Sequence, residues 1–192
     1  RLSALPQQLP TPLFVMIIDT VIVGAGHAGL AVSRRLTNAG RDHVVLDRGG
    51  VAERWRSERW DSLHLLTPNW MTRLPGWCYT GPDPDGYMSA SELVRHLERY
   101  AASFHAPIVP DTNVLEISAT RSPGCARFCV VTDSGTWHAR HVVVATGPHG
   151  RPHLPGGLSG ISSRVEVLTA SSYRNPDTFP PGGVLVVGAS AS

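Results

Sequence analysis

The sequence contains few cysteines, no block of like charges and no apolar run long enough to cross a membrane. Its cysteines are Cys78, Cys125 and Cys129, and an odd number without regular spacing argues against a disulfide-stapled secreted domain. The spacing of Cys125 and Cys129 is not that of a redox-active Cys-x-x-Cys pair. We interpret the cysteines as buried or free thiols.

Charge and hydrophobic patterning exclude further classes of protein. The 17 arginines (the sequence has no lysine) are interspersed with 15 aspartates and glutamates, so no basic stripe for a nucleic acid emerges. The apolar residues 13–18 are too few to span a bilayer and precede no small-residue cleavage site. We therefore expect a cytoplasmic protein without a transmembrane segment and without a nucleic-acid partner.

Patterns for metal binding and for hydrolysis are also missing. His138 and His141 are three residues apart, which in a strand places them on opposite faces. The sequence has no Gly-x-Ser-x-Gly turn, so a Ser-His-Asp hydrolase would lack its nucleophile elbow. We predict no metal ligands.

The strongest positive signal is a glycine-rich turn between an apolar run and a helical pattern. The turn reads Gly24-Ala25-Gly26-His27-Ala28-Gly29. This order is typical of a dinucleotide phosphate site. Gly24 permits the tight turn, Gly26 keeps side chains away from the pyrophosphate, and Gly29 lets the helix approach the strand. The first N–H groups of the helix then face the phosphates.

An acidic residue follows at the distance that such a site requires. The next apolar run, residues 43–46, ends at Asp47, which lies 23 positions after Gly24. A carboxylate at this spacing accepts hydrogen bonds from ribose hydroxyls and repels a 2′-phosphate. The first site is therefore expected to hold FAD or NAD rather than NADP.

Residues 49–85 are rich in Trp, Arg, Pro and Gly and show no sustained period. An irregular stretch of this length inside a compact domain is usually functional. Trp55 and Trp60 alternate with arginines and fit the wall of a large planar, anionic ligand. For Trp70 and Trp77, covering the edge of the core is an equally good interpretation.

The remaining patterns predict an α/β fold of the Rossmann type, a parallel sheet with helices and a small antiparallel β meander. A helix over 28–38 stops at Gly40, and a capping box at Ser89–Glu92 opens a second helix, whose residues 95, 96, 98 and 99 form a solvated face. The meander strands are 113–117, 127–132 and 136–140. A separate buried parallel strand covers 141–147 and ends in Ala145-Thr146-Gly147.

The end of the chain repeats the opening pattern. An apolar run over 183–187 predicts a strand that enters a second glycine turn, Gly188-Ala189-Ser190, and the sequence stops within that motif. We expect four segments: a disordered or mis-annotated leader (1–15), a dinucleotide-binding domain (16–150), a connector (151–182) and the start of a truncated second dinucleotide-binding domain (183–192).

Together these motifs resemble the flavin-containing monooxygenase group of flavoproteins with two dinucleotide-binding domains. The resemblance runs from about Ile18 to Ser192. Besides the two glycine turns, it depends on four stretches: Asp47-Arg48, the Arg54-Trp55 to Thr67-Pro68 block, Val144-Ala145-Thr146-Gly147, and Tyr173-Arg174-Asn175-Pro176.

The resemblance implies the cofactors and their sites. FAD would be bound by the first glycine turn, by Asp47 at the adenosine ribose and by Val114 near the adenine. Residues expected along the rest of FAD are Arg48, Arg54, Trp55, Trp60, Ala145, Thr146 and Gly147. Gly188, Ala189 and Ser190 would begin the NADPH site. In that family NADPH reduces the flavin, which takes up O2 as a hydroperoxide and passes one oxygen atom to a small-molecule substrate.

Two departures from the family pattern leave alternatives open. The fingerprint histidine of the family is replaced by Thr169, and Pro68 stands where animal members place an asparagine beside the flavin. One alternative is therefore an inactive or non-catalytic FAD-binding fragment. A pyridine nucleotide–disulfide reductase relative is the other, although it would need the missing Cys-x-x-Cys. The sequence carries no signal for an oligomeric state.

Overall fold

The computed structural model describes residues 15–120, 126–148, 154 and 160–188. Eight strands and three α-helices lie within these ranges. The strands are β1 (Val15–Val23), β2 (His43–Leu46), β3 (Arg73–Leu74), β4 (Trp77–Cys78), β5 (Ile108–Val109), β6 (Val114–Ala119), β7 (Phe128–Thr132) and β8 (Gly135–Val144). The helices are α1 (His27–Asn38), α2 (Glu53–Ser57) and α3 (Ala90–Ala102).

Six strands form one mixed sheet in the order β5-β2-β1-β8-β7-β6. The first four are parallel, and β8, β7 and β6 then run antiparallel to one another. In the register, Val23 lies opposite both Leu46 and Val144, so β1, β2 and β8 end at the same edge. The carboxyl edge of a parallel sheet is where open α/β folds bind their ligands.

The core sits on both faces of the central strands. Val21 and Ile22 of β1 and Val45 of β2 are fully buried, as expected for strands of a covered parallel sheet. A second apolar cluster joins Leu30 of α1 to Leu97 and its neighbours in α3. The carboxyl edge of β1 is therefore supported by packed helices.

The helix boundaries follow from local sequence signals. The helix predicted for 28–38 is confirmed as α1, and the N–H of Gly40, at φ +62°, donates to the carbonyl of Thr37. The predicted capping box is also present. The N–H of Glu92 donates to Ser89 Oγ at 3.3 Å, and the N–H of Ser89 donates to Glu92 Oε2 at 2.8 Å.

The meander differs from the prediction in one respect. The strands predicted for 136–140 and 141–147 are one continuous strand, β8, which ends at Val144. The reason is long-range pairing, because the long strand β1 hydrogen-bonds along the whole of β8. The predicted burial of residues 141–147 is wrong, because none of them is buried and Val144 is 65% exposed.

The irregular stretch 49–85 contains short elements that the sequence does not predict, namely α2, β3, β4 and a 3-10 turn at Asn69–Met71. Trp77 packs against the helical core, whereas Trp70 is 48% exposed. His96 departs from the predicted solvated face. Its ring lies edge-on to Trp77, with 5.9 Å between centroids, because the β3–β4 hairpin folds over α3.

Residues 160–188 form no strand. The strand predicted for 183–187 is absent there, because a strand needs a hydrogen-bonded neighbour and no described strand lies beside this segment. The part of the connector that is described contacts the main domain. The N–H of Asp61 donates to the carbonyl of Arg174 at 2.9 Å, and Asn175 Nδ2 donates to Asp61 Oδ2 at 2.6 Å.

Several predictions concern residues outside the described ranges: the leader up to residue 14, Cys125, and Ala189 and Ser190 of the second turn. Within those ranges, none of the helices combines the length and the apolar character that a membrane crossing requires.

Candidate dinucleotide site

The first glycine turn lies at the carboxyl edge of the sheet, between β1 and α1. Gly24 has φ +108°, and a Cβ on it would lie 2.5 Å from the carbonyl oxygen of Ala145. A Cβ on Gly29 would lie 1.8 Å from the carbonyl oxygen of Gly24. Both contacts are with backbone atoms, which cannot rotate away. Glycine at these two positions is therefore a requirement of the turn itself.

Gly26 differs from the other two glycines because nothing in the chain crowds it. A Cβ on Gly26 would meet no heavy atom within 4 Å. This residue precedes α1 and supplies no side-chain cap, and α1 has no acidic residue in its first turn. The first N–H groups of a helix lack intrahelical acceptors and attract anions. Open space in front of such a helix fits a pyrophosphate.

Asp47 lies beside this turn, immediately after β2. Its Oδ2 accepts the N–H of Ala25 at 2.7 Å, and its Oδ1 accepts the N–H of Gly49 at 3.1 Å. A carboxylate oxygen has a second lone pair, so each of these oxygens can still accept a bond from a ribose hydroxyl. The structure thus joins the two sequence signals, the glycine turn and the acid, in one hydrogen-bonded unit.

The segment before Val114 docks against the same unit. The N–H of Thr112 donates to the carbonyl of Asp47 at 2.8 Å, and the N–H of Asp111 donates to the carbonyl of Gly49 at 3.0 Å. Val114 itself is half-buried at the start of β6 and packs against the apolar cluster of the sheet. These bonds bring Val114 into the neighbourhood of Asp47, although the sequence separation is long.

The loop after β8 closes the other side of the turn. The N–H of Ala145 donates to the carbonyl of Val23 at 2.8 Å, and Gly147 has φ +75°. Arg54 of α2 reaches this loop, since its Nη1 lies 2.8 Å from the carbonyl oxygen of Pro148 and 3.4 Å from that of Thr146. The predicted residues Ala145, Thr146 and Gly147 therefore face α2 across the edge of the sheet.

Glu58 connects two of the predicted arginines. Its Oε2 accepts a bond from Arg54 Nε at 2.7 Å, and its Oε1 pairs with Arg48 Nη2. Burial raises the pKa of the Glu58 carboxyl, but the hydrogen bonds and charges of Arg54 and Arg48 outweigh it and hold that pKa below its ordinary value. Glu58 is thus an anion at neutral pH.

Trp55 and Trp60 line a different space from the glycine turn. They lie with Arg59 and Arg95 in a cleft of about 360 Å³ between α2 and α3, and no residue of the turn borders it. The guanidinium of Arg59 sits over the Trp55 ring, 5.2 Å from its centroid. The alternation of Trp and Arg in the sequence therefore corresponds to one stacked pair, Arg59 on Trp55, in a cleft beside helix α2, which also carries Arg54.

Sequence reasoning missed Glu58 and Thr112. Glu58 could have been found from its i, i+4 spacing to Arg54, which favours an ion pair on a helix. Thr112 contacts the site through its backbone N–H, which any residue except proline provides, so the residue type does not indicate the contact. Of the second turn, Gly188 is described and has φ +116°, a conformation that favours glycine.

Metal ligation finds no support in the described part of the chain, where no cluster of three or more His, Cys, Asp or Glu side chains is suited to a metal ion. Cys78 and Cys129 are free thiols. The fold and the edge site together define a dinucleotide-binding domain of the Rossmann type.

Comparison with known proteins shows to which family this dinucleotide-binding domain belongs. The model of the pyridine nucleotide-disulphide oxidoreductase family matches residues 21–192. The chain therefore belongs to that family, and it has a mixed α/β fold shared with flavin-dependent monooxygenases and reductases.

Individual relatives agree with the family. An uncharacterized CzcO-like oxidoreductase of Geobacillus kaustophilus is 37% identical over 92% of this chain and 49% of its own length. The indole-3-pyruvate monooxygenase YUCCA6 of Arabidopsis thaliana is 32% identical over 92% of this chain and 43% of its own length. A double mutant of a flavin monooxygenase from Stenotrophomonas maltophilia superposes with a TM-score of 0.73 and 28% sequence identity. The superposition covers 84% of this chain and 47% of that structure's chain. The chain spans about half the length of the curated relatives it matches.

Proposed function

We propose that the chain is the FAD-binding part of a flavoprotein oxidoreductase that uses NADPH and transfers one oxygen atom from O2 to a small-molecule substrate. The observation that carries the proposal is the open space at Gly26, in front of α1 and beside Asp47. The names of the relatives support the redox class, and the family description includes a pyridine nucleotide.

Different residues of the site would contact different parts of FAD. The N-terminus of α1 would bind the pyrophosphate, and Asp47 would accept the hydroxyls of the adenosine ribose. Val114 would border the adenine. Arg48, Arg54, Trp55 and Trp60, with Ala145-Thr146-Gly147, would surround the remainder of the cofactor. When bound, the flavin supplies hydride transfer and activation of O2, while the protein provides position and shelter from water.

The second glycine turn is the basis for including a nicotinamide cofactor in the proposal. Gly188 adopts a positive φ, as a tight turn at the start of a second dinucleotide-binding domain requires. We propose that Gly188, Ala189 and Ser190 begin the NADPH site. The domain division at 150 and 182 and a cytoplasmic location stay predictions of the sequence.

A glycine substitution tests FAD binding without disturbing the fold. Gly26→Ala adds a Cβ that meets no atom of the chain but enters the space assigned to the pyrophosphate. We expect FAD affinity to fall by about tenfold or more, a loss of about 1.4 kcal/mol of binding free energy. Isothermal titration with FAD, together with circular dichroism as a check of folding, measures both properties.

Gly160→Ala is the matched control, because its Cβ also meets nothing within 4 Å and the residue belongs to the connector rather than to the glycine turn. Equal FAD affinity of the Gly26 and Gly160 variants would contradict the proposed site. In a chain extended past Ser192 through a complete second dinucleotide-binding domain, oxidation of NADPH with incorporation of isotopically labelled O2 into a product tests the monooxygenase activity. FAD binding by that extended chain without any NADPH oxidation would instead favour the non-catalytic alternative.

A further inference from the structure

A chain of ion pairs runs between the two strands that flank β1. Arg48, immediately after β2, pairs with Glu58, at the end of α2. Glu58 also pairs with Arg54, whose Nη1 donates to the carbonyl oxygen of Pro148 beyond β8. Three side chains thus link the loops after β2 and β8.

The position of these loops puts the link across the candidate site. Both strands pair with β1 and end level with Val23, so the glycine turn lies between them. Two neighbouring strand spacings separate β2 from β8, a distance of about 10 Å. Arg48, Glu58 and Arg54 together have the length to bridge that distance, and we refer to the three side chains as the clasp.

The clasp is anchored more firmly at one end than at the other. The side chains of Glu58 and Arg54 are only 21% and 22% exposed, and Arg54 also contacts the backbone after β8. Arg48 is 53% exposed and its guanidinium pairs directly with the Glu58 carboxylate. Because the Arg48 arm is more exposed than the Arg54 arm, the clasp can open by release of Arg48 from Glu58, without unfolding of α2.

We propose that Glu58 is a positioning residue that holds Arg48 and Arg54 across the mouth of the dinucleotide site and thereby controls the exchange of FAD. This inference rests on the proposed function, since it assumes that the cofactor binds at the glycine turn. Bound FAD leaves when the clasp opens. Loss of the Glu58 charge removes both ion pairs at once and leaves the glycine turn and Asp47 unchanged.

The test is the rate at which FAD leaves the FAD-loaded protein. Release is followed by the rise of flavin fluorescence after dilution, for the unmodified chain and for Glu58→Gln. We expect release from Glu58→Gln to be about fivefold faster, the effect of losing about 1 kcal/mol of partly exposed ion pairing. Added salt should speed release from the unmodified chain and have little effect on the variant.

Asp19→Asn is the matched control. Asp19 also lies between two arginines, 2.8 Å from Arg41 and 3.9 Å from Arg140, but it sits on β1 away from the carboxyl edge. Its substitution removes a comparable ion-pair cluster and should leave FAD release unchanged. If Glu58→Gln does not fold, Glu58→Asp shortens the side chain that joins the two arginines and should also accelerate FAD release.

The outcomes separate the two proposals. Unchanged FAD release in Glu58→Gln (or in Glu58→Asp, if the Gln variant does not fold), or equal acceleration in Asp19→Asn, would overturn the clasp while FAD binding stands. A folded, unmodified chain that binds no FAD would overturn the proposed function and, with it, the assignment of the clasp.

Discussion

At the scale of single residues, the three glycines of the first turn differ in their surroundings: two face backbone atoms and one faces open space. Gly24 and Gly29 face backbone atoms at 2.5 and 1.8 Å, so their lack of a side chain serves the fold. Gly26 faces open space, so its lack of a side chain serves a ligand. The motif pattern alone predicts these roles, because each position in it corresponds to one geometric demand.

Other residues of the site could not be predicted in this way. Asp47 was found from its spacing, but its bonds to Ala25 and Gly49 depend on how the turn and the loop after β2 meet in space. The contact of Arg54 with Pro148 joins positions 94 residues apart. Such pairs depend on the strand order, which local sequence does not specify.

His96 provides a prediction of pH dependence. Burial lowers the pKa of its ring, and the charges of His27 and Arg99 lower it further, from an ordinary value of 6.5. Its Nε2 is buried and has no hydrogen-bond partner among the described residues. Protonation therefore favours the unfolded chain, which binds more protons than the folded chain near and below that ordinary value.

We expect the free energy of unfolding to fall as the pH drops from neutrality through the ordinary histidine pKa. The His96→Phe variant keeps a ring against Trp77 and removes the titrating group. Its free energy of unfolding should therefore fall less over the same pH range. Urea denaturation of both proteins at a series of pH values measures the difference. Parallel curves for the two proteins would show that His96 does not cause the dependence.

At the scale of elements, prediction succeeded where one segment contains the whole signal. The run 43–46 is β2, and Ser89 and Glu92 form the predicted cap of α3. Prediction failed where the extent of a strand depends on a pairing partner that is distant in the sequence. β8 is a single strand because β1 pairs along all of it, and residues 183–187 form no strand because no described strand lies beside them.

The capping box of α3 is a direct test at this scale. Ser89→Ala removes the acceptor for the N–H of Glu92 and should lower the free energy of unfolding by about 1 kcal/mol. Chemical denaturation measures the loss. Ser89→Thr retains a hydroxyl and should recover most of the stability. An alanine variant as stable as the threonine variant would mean that the cap contributes little to α3.

At the scale of the whole molecule, strand order determines where function is found. β1 lies at the centre, with β2 and β8 on either side, and all three end at one edge. Helices α1 and α2, the Asp47 loop and the loop after β8 meet there. Sequence motifs predicted α1, the Asp47 loop and the loop after β8, whereas α2, the clasp and the cleft of Trp55 and Trp60 emerged only from the assembled fold.

The central claim is that this edge binds FAD, and a titration of the purified chain with FAD tests it most directly. Visible absorption is recorded after removal of unbound flavin by gel filtration. If FAD binds at this edge, the protein is yellow and retains one flavin per chain. A chain that is folded by circular dichroism yet retains no flavin at saturating FAD would show that this edge does not bind FAD.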